Sequence, residues 1–102
     1  MNRQDFIKKL EINYKNGINI MKAKNEDYAA SQDPFKNFRS AKLLGMSVEQ
    51  GILLRMQDKM ARCANLLQSQ QKVKDESIED TLLDLMNYAN ILCLYRQSMK
   101  KE

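Results

Sequence analysis

The sequence predicts an all-α protein, a small helical bundle of three long helices and one short one. Three observations carry this. The chain has 102 residues but only three glycines and one proline, too few for the turns of a many-stranded fold. Apolar residues recur at spacings of three and four along three long segments. Two polar breaks separate these segments, and no internal repeat or low-complexity tract interrupts them. A chain this short buries a modest share of its surface, so one domain over residues 1–102, completed by dimerisation or a higher homo-oligomer, is expected.

The first helix is marked by Ile7, Leu10, Tyr14, Ile18 and Met21, with Asn2 or Asp5 available as its N-cap. Gly17 weakens this helix without ending it. Periodicity fails after Lys24, and NEDYAASQDPFKNF forms an irregular loop over about residues 25–38. A long loop in a small domain is more often functional than idle. A short helix follows from about Arg39 to Leu44 and is closed by Gly45. Ser47, three residues before Gln50, reads as a capping box that opens the second long helix, which reaches about Gln68. Its apolar stripe is Ile52, Leu53, Met56, Met60, Cys63, Ala64 and Leu67. After the polar SQQKVK, Asp75 or Ser77 caps a third long helix to about Met99. Acidic residues near its start and Arg96, Lys100 and Lys101 near its end suit the helix dipole.

Composition narrows the function classes. Net charge is +4 and the pI is near 9.1, yet Asp75, Glu76, Glu79, Asp80 and Asp84 crowd one segment. No continuous Lys/Arg stripe follows any helix, so direct nucleic-acid binding is not expected. There is no histidine and no CxxC motif, which argues against zinc, and Cys63 and Cys93 sit in apolar helical patterns as packing residues. The start of the sequence lacks a signal-peptide pattern and no apolar run is long enough to cross a membrane, so a cytoplasmic protein is expected.

The stretch DESIEDTLLDLMNYA poses the sharpest chemical question. At roughly 100° per residue, Ile78, Leu82, Leu85, Ala89 and Leu92 share one side of the third helix and form its expected core stripe. Glu76, Asp80, Asp84 and Asn87 fall opposite, together with Leu83, Ile91 and Leu94. A solvated face has no need of three large aliphatics, so a second contact surface with an acidic end is expected. Crowded carboxylates repel unless a cation sits among them, and oxygen ligands suit Mg²⁺ or Mn²⁺. The ordinary alternative is that acidic residues gather there for capping and dipole reasons.

On the second helix, Arg55, Asp58, Lys59 and Arg62 recur at spacings of three and four. They are either a structural salt-bridge ladder or a carboxylate facing the third helix with Lys59 and Arg62 on phosphate oxygens. In the loop region, Lys22, Lys24, Lys36, Arg39, Tyr28, Phe35, Phe38 and Asn37 supply cations, aromatics and an amide, the inventory of a nucleotide site. Aromatics in an irregular segment more often pin it to the core. Phe38 is assigned to the core and Phe35 is left open between the two roles.

The runs KNEDYAASQDPFKNF, LRMQDKMARCANLL and DESIEDTLLDLMNYANI together resemble a phage and bacterial family, the nucleotide-modification-associated domain, over about residues 20 to 95. That family in turn resembles the all-α MazG-like nucleoside triphosphate pyrophosphohydrolases, which hold Mg²⁺ on helical carboxylates and generally dimerise. The resemblance implies hydrolysis between the α and β phosphates of an NTP or dNTP, with modified or signalling nucleotides of phage infection among the substrates. It puts catalysis on Asp58, Glu76, Asp80 and Asp84 and the metal on these and Glu79; the nucleotide is expected on Lys24, Asp27, Tyr28, Phe35, Asn37, Lys59, Arg62 and Asn87. The chain departs from that pattern: Asp58 follows Gln57 where an adjacent Glu-Glu pair is usual, and the Glu-x-x-Asp spacing is absent in strict form. The competing expectation is a non-enzymatic helical module that binds a host protein or sequesters a nucleotide through the Leu83, Ile91 and Leu94 surface.

Overall fold

In the computed structural model, described over residues 1–27, 33–69 and 77–100 with side chains of the first helix up to Lys24, helices follow the polar caps placed at their starts. Helix α1 spans Arg3–Asp27, a 3₁₀ helix spans Lys36–Leu44, α2 spans Val48–Gln68 and α3 spans Ile78–Met99, with no strand among the described residues. The fold is all-α, as the periodicity requires.

Each long helix has a side-chain reason for its start. Asn2 Oδ1 accepts the Asp5 N–H at 2.9 Å, so Asn2 rather than Asp5 caps α1. Ser47 and Gln50 close the capping box, the Ser47 hydroxyl accepting from Gln50 N–H at 3.0 Å and Gln50 Oε1 accepting from Ser47 N–H at 2.9 Å. Ser77 accepts the Asp80 N–H at 3.0 Å and is the cap of α3. The 3₁₀ helix is announced by Asp33, whose carboxylate accepts the Phe35 N–H at 3.0 Å and pairs with Arg39 Nε at 2.6 Å. It ends at Gly45, whose φ of 74° is the left-handed conformation that a side chain would strain.

Two boundaries differ from expectation. Helix α1 continues three residues past Lys24, and the short helix begins at Lys36 rather than Arg39 and is 3₁₀ throughout. A turn at Asp33 accompanies the second difference: its carboxylate accepts the Phe35 N–H and its carbonyl accepts the Lys36 N–H, so the chain is already turning where the apolar pattern suggests a loop.

The core lies where α2, α3 and the 3₁₀ helix meet. Val48, Ile52 and Tyr95 are buried, with Phe35, Phe38, Met56, Tyr88, Ile91 and Leu92 packed around them. Phe38 pins its segment to this core edge-on to Tyr88, and Phe35 does the same against Tyr95 at a centroid distance of 5.3 Å.

The apolar stripes are rotated from those read off the helical wheels. On α1, Ile7, Tyr14 and Ile18 are exposed, and the buried residue is Gly17. A Cβ at Gly17 would lie 2.5 Å from Met86 Cε and 3.0 Å from Asn87 Oδ1, so α3 approaches α1 at the one position with no side chain. On α2, Leu53, Met60 and Leu67 are exposed while Leu66 is buried. On α3, Leu82 and Ala89 face outward, and Thr81, Asn87 and Tyr95 are buried instead. Helix α3 is flanked by α2 on one side and α1 on the other, so the face that carries Asp84, Asn87 and Ile91 is a packed face.

Among the described elements α1 packs against α3 alone. The Cα radius of gyration is 15.8 Å, against about 13 Å for a close-packed domain of this length. That openness leaves room for a cleft.

Candidate functional site, a cleft between three helices

Between α1, the 3₁₀ helix and α3 lies a cleft of about 460 Å³, within the range of small-molecule sites. Ile18, Met21 and Lys24 of α1 form one wall. Pro34, Phe35, Asn37 and Phe38 form a second. Asp84, Asn87, Tyr88, Asn90, Ile91 and Leu94 run along α3 as the third, and Arg55 of α2 reaches the same space. Asp84 to Leu94 is ten residues, roughly 15 Å of helix. Along the α3 wall the carboxylate is at the Asp84 end, and Ile91 and Leu94 are at the other.

At the charged end three helices converge on one carboxylate. Lys24 Nζ of α1 lies 3.4 Å from Asp84 Oδ1, and Lys59 Nζ of α2 lies 3.2 Å from Asp84 Oδ2. Two ammonium groups against one carboxylate leave a net positive centre. Apart from this cluster, Arg55 lies on the aromatic wall, its guanidinium carbon 5.7 Å from the centroid of the Phe38 ring. Asn87 is buried and donates from Nδ2 to the Gly17 carbonyl at 3.1 Å, so it holds α1 in place and also faces the cleft. The Arg39 guanidinium beside Asp33 holds that carboxyl below its usual range, and Asp33 in turn raises Arg39, an ion pair that fixes the start of the second wall.

Of the residues expected to form a site, Lys24, Phe35, Asn37, Asp84 and Asn87 line this cleft and Lys59 joins it through Asp84. Asp58, Glu79 and Asp80 are exposed and are not part of its lining, and Arg62 is also outside it. Tyr28 and Glu76 lie outside the described residues, as does the side chain of Asp27. Among the described residues no three His, Cys, Asp or Glu side chains come together in a way that could hold a metal ion. Asp58 does not form the ladder with Arg55; that arginine lies on Phe38. Arg55, Tyr88 and Asn90 were missed as site residues. Tyr88 follows Asp84 by one turn and so shares its face, a signal legible in the spacing. Ile91 and Leu94, expected to greet a partner protein, are cleft wall.

The fold and site define an all-α protein with a cationic, aromatic-walled cleft between its helices. No helix among the described residues is long and apolar enough to cross a membrane. The chain belongs to the family described as nucleotide modification associated domain 1, whose model matches residues 24–95. No match was found among curated proteins or among solved structures.

Proposed function

We propose that the cleft binds a nucleotide, with phosphate at the Lys24 and Lys59 end and the base towards Phe35, Ile91 and Leu94. The observation that carries this is the lining of the cleft: Lys24 and Lys59 gathered on Asp84, Ile91 and Leu94 at the other end of the α3 wall, and the rings of Phe35 and Phe38 with the amides of Asn37 and Asn90. Lysine and arginine meet phosphate oxygens as charge-assisted donors, and an apolar wall with a few amides orients a base. Membership of a nucleotide-modification-associated family points to the same ligand class. Calorimetric titration with a panel of canonical and modified dNTPs tests it. Saturable binding by the wild-type protein, weakened by Lys24→Ala and Phe35→Ala, is expected; the absence of binding for every nucleotide refutes the proposal.

The likeness to MazG-like enzymes adds a second proposal, Mg²⁺-dependent cleavage of the pyrophosphate linkage. What favours it is Asp84 in the cleft, because Mg²⁺ commonly takes one or two carboxylates and completes its shell with phosphates and water. The described donors do not by themselves fit the ion: both oxygens of Asp84 face lysines and Asp58, Glu79 and Asp80 are outside the cleft lining. Binding is therefore the primary proposal, and sequestration of a nucleotide is its non-enzymatic form. Release of pyrophosphate from dNTPs with Mg²⁺, abolished in Asp80→Asn and Asp84→Asn, supports turnover. Release that survives both substitutions removes those carboxylates from the chemistry.

A further inference from the structure

Resting on the nucleotide-binding proposal, the geometry points to a more specific device: Asp84 is a built-in occupant of the phosphate seat, and a nucleotide must displace it. Its two oxygens are gripped from opposite helices, by Lys24 at 3.4 Å and Lys59 at 3.2 Å, as two oxygens of a phosphate would be. The Asp84 side chain is 22% exposed, against 49% for Lys24 and 25% for Lys59, so the ion pairs are reached by water and by ligand. Partly exposed ion pairs are individually weak, which makes the carboxylate an occupant that yields.

Charge decides what can replace it. The two lysines contribute two positive charges and Asp84 returns one negative charge. A phosphodiester carries one negative charge, so exchanging it for the carboxylate gains nothing in Coulomb energy. A terminal phosphate monoester is largely a dianion above its second pKa of about 6 and matches both ammonium groups. The seat therefore selects nucleotides that end in a phosphate monoester, mono-, di- or triphosphates, and excludes nucleosides and cyclic or internal diesters. Arg55 lines the same cleft, stacked on Phe38, as a further cation.

The test is titration in the presence of a chelator, so that no divalent ion contributes, with a deoxynucleoside, its 5′-monophosphate and its cyclic phosphodiester. Wild-type protein is expected to bind the monophosphate and to discriminate against the other two. Asp84→Asn keeps the shape of the side chain and removes its charge, so the monophosphate is expected to bind about three- to tenfold tighter. The diester gains by the same factor, because the cost of displacing Asp84 is common to both ligands, and the ratio between the two is unchanged. This ratio is internal to each protein and does not depend on how much of a sample is folded; Asp84→Ser repeats the test with a shorter side chain. Weaker binding of the monophosphate by both variants, or equal binding of monoester and diester by the wild type, overturns the displacement proposal and leaves the cleft as a nucleotide site. Failure of every protein to bind any of the ligands overturns the nucleotide proposal, and this one with it.

Discussion

Replacing Asn87 with alanine separates two roles that converge on one side chain. Its amide donates to the Gly17 carbonyl at 3.1 Å across a buried contact between residues 70 positions apart. Because α1 packs on α3 alone among the described elements, this bond and the Lys24–Asp84 ion pair are what fasten it there beyond apolar contact. The Gly17 carbonyl lies inside α1, where it also accepts within the helix, so the loss is one hydrogen bond rather than an orphaned acceptor. That is worth about 1 kcal/mol, with the small void raising it towards about 2 kcal/mol. For a domain of this size the melting temperature falls by about 4–8 °C per kcal/mol. Hydrogen exchange adds the local readout: amides of α1 around Gly17 lose protection while those of α2 around Ile52 keep theirs. Nucleotide affinity falls too, because Ile18, Met21 and Lys24 form a wall of the cleft. Unchanged melting and unchanged protection of α1 refute the fastening role. Lost affinity with α1 still protected shows instead that Asn87 touches the ligand directly.

Lys59→Met is expected to weaken nucleotide binding about three- to tenfold, with a shallower salt dependence measured by repeating the titration at rising ionic strength. The Asp33 carboxyl is held below its usual value of 3.8, so its ion pair with Arg39 stabilises the 3₁₀ helix above that pH and is lost as the pH falls through the depressed value. Chemical shifts of Phe35 and Arg39 followed through acid titration report this loss, and Asp33→Asn removes the acid-sensitive step. Leu53, Met60 and Leu67 recur every seven residues on α2 and are 51%, 60% and 58% exposed, an apolar row that self-association would cover. Sedimentation is expected to give a dimer for the wild type and a monomer for Met60→Glu; equal masses refute that use of the row.

Much of the architecture is written locally and could be read locally. Ser47 with Gln50, Ser77 before an apolar run and Gly45 after Leu44 are short-range signals, and each stands at the predicted helix end. What the helical wheels lacked was the number of neighbours each helix would meet. Helix α3 has two, so its polar face is packed, and Asn87 rather than Leu82 is buried. Glycine at position 17 reads as a weak point in a helix, yet it is the contact point with α3, because close approach depends on a partner that sequence spacing does not reveal. The site was legible in its residue types, lysines, aromatics and amides, more than in its grouping. Asp84 was singled out for a metal and is met by two lysines, a pairing across 60 and 25 positions that no periodicity within one helix encodes. Arg55 was missed because a neighbouring Asp58 offered a simpler partner on the same helix, and the ring of Phe38 came from elsewhere in the chain.

The family match begins at residue 24, whereas α1 begins at Arg3. Ile18 and Met21 therefore belong to a wall that precedes the matched region, while Phe35, Asn37, Asp84, Asn87 and Arg55 lie within it. The cleft is thus composite: the 3₁₀ segment and α3 supply walls from matched residues, and α1 adds a wall that lies mostly before the match, seated on a glycine and held by one amide and one ion pair. A change at Ile18 or Met21 therefore alters the cleft wall without touching the core of Val48, Ile52 and Tyr95.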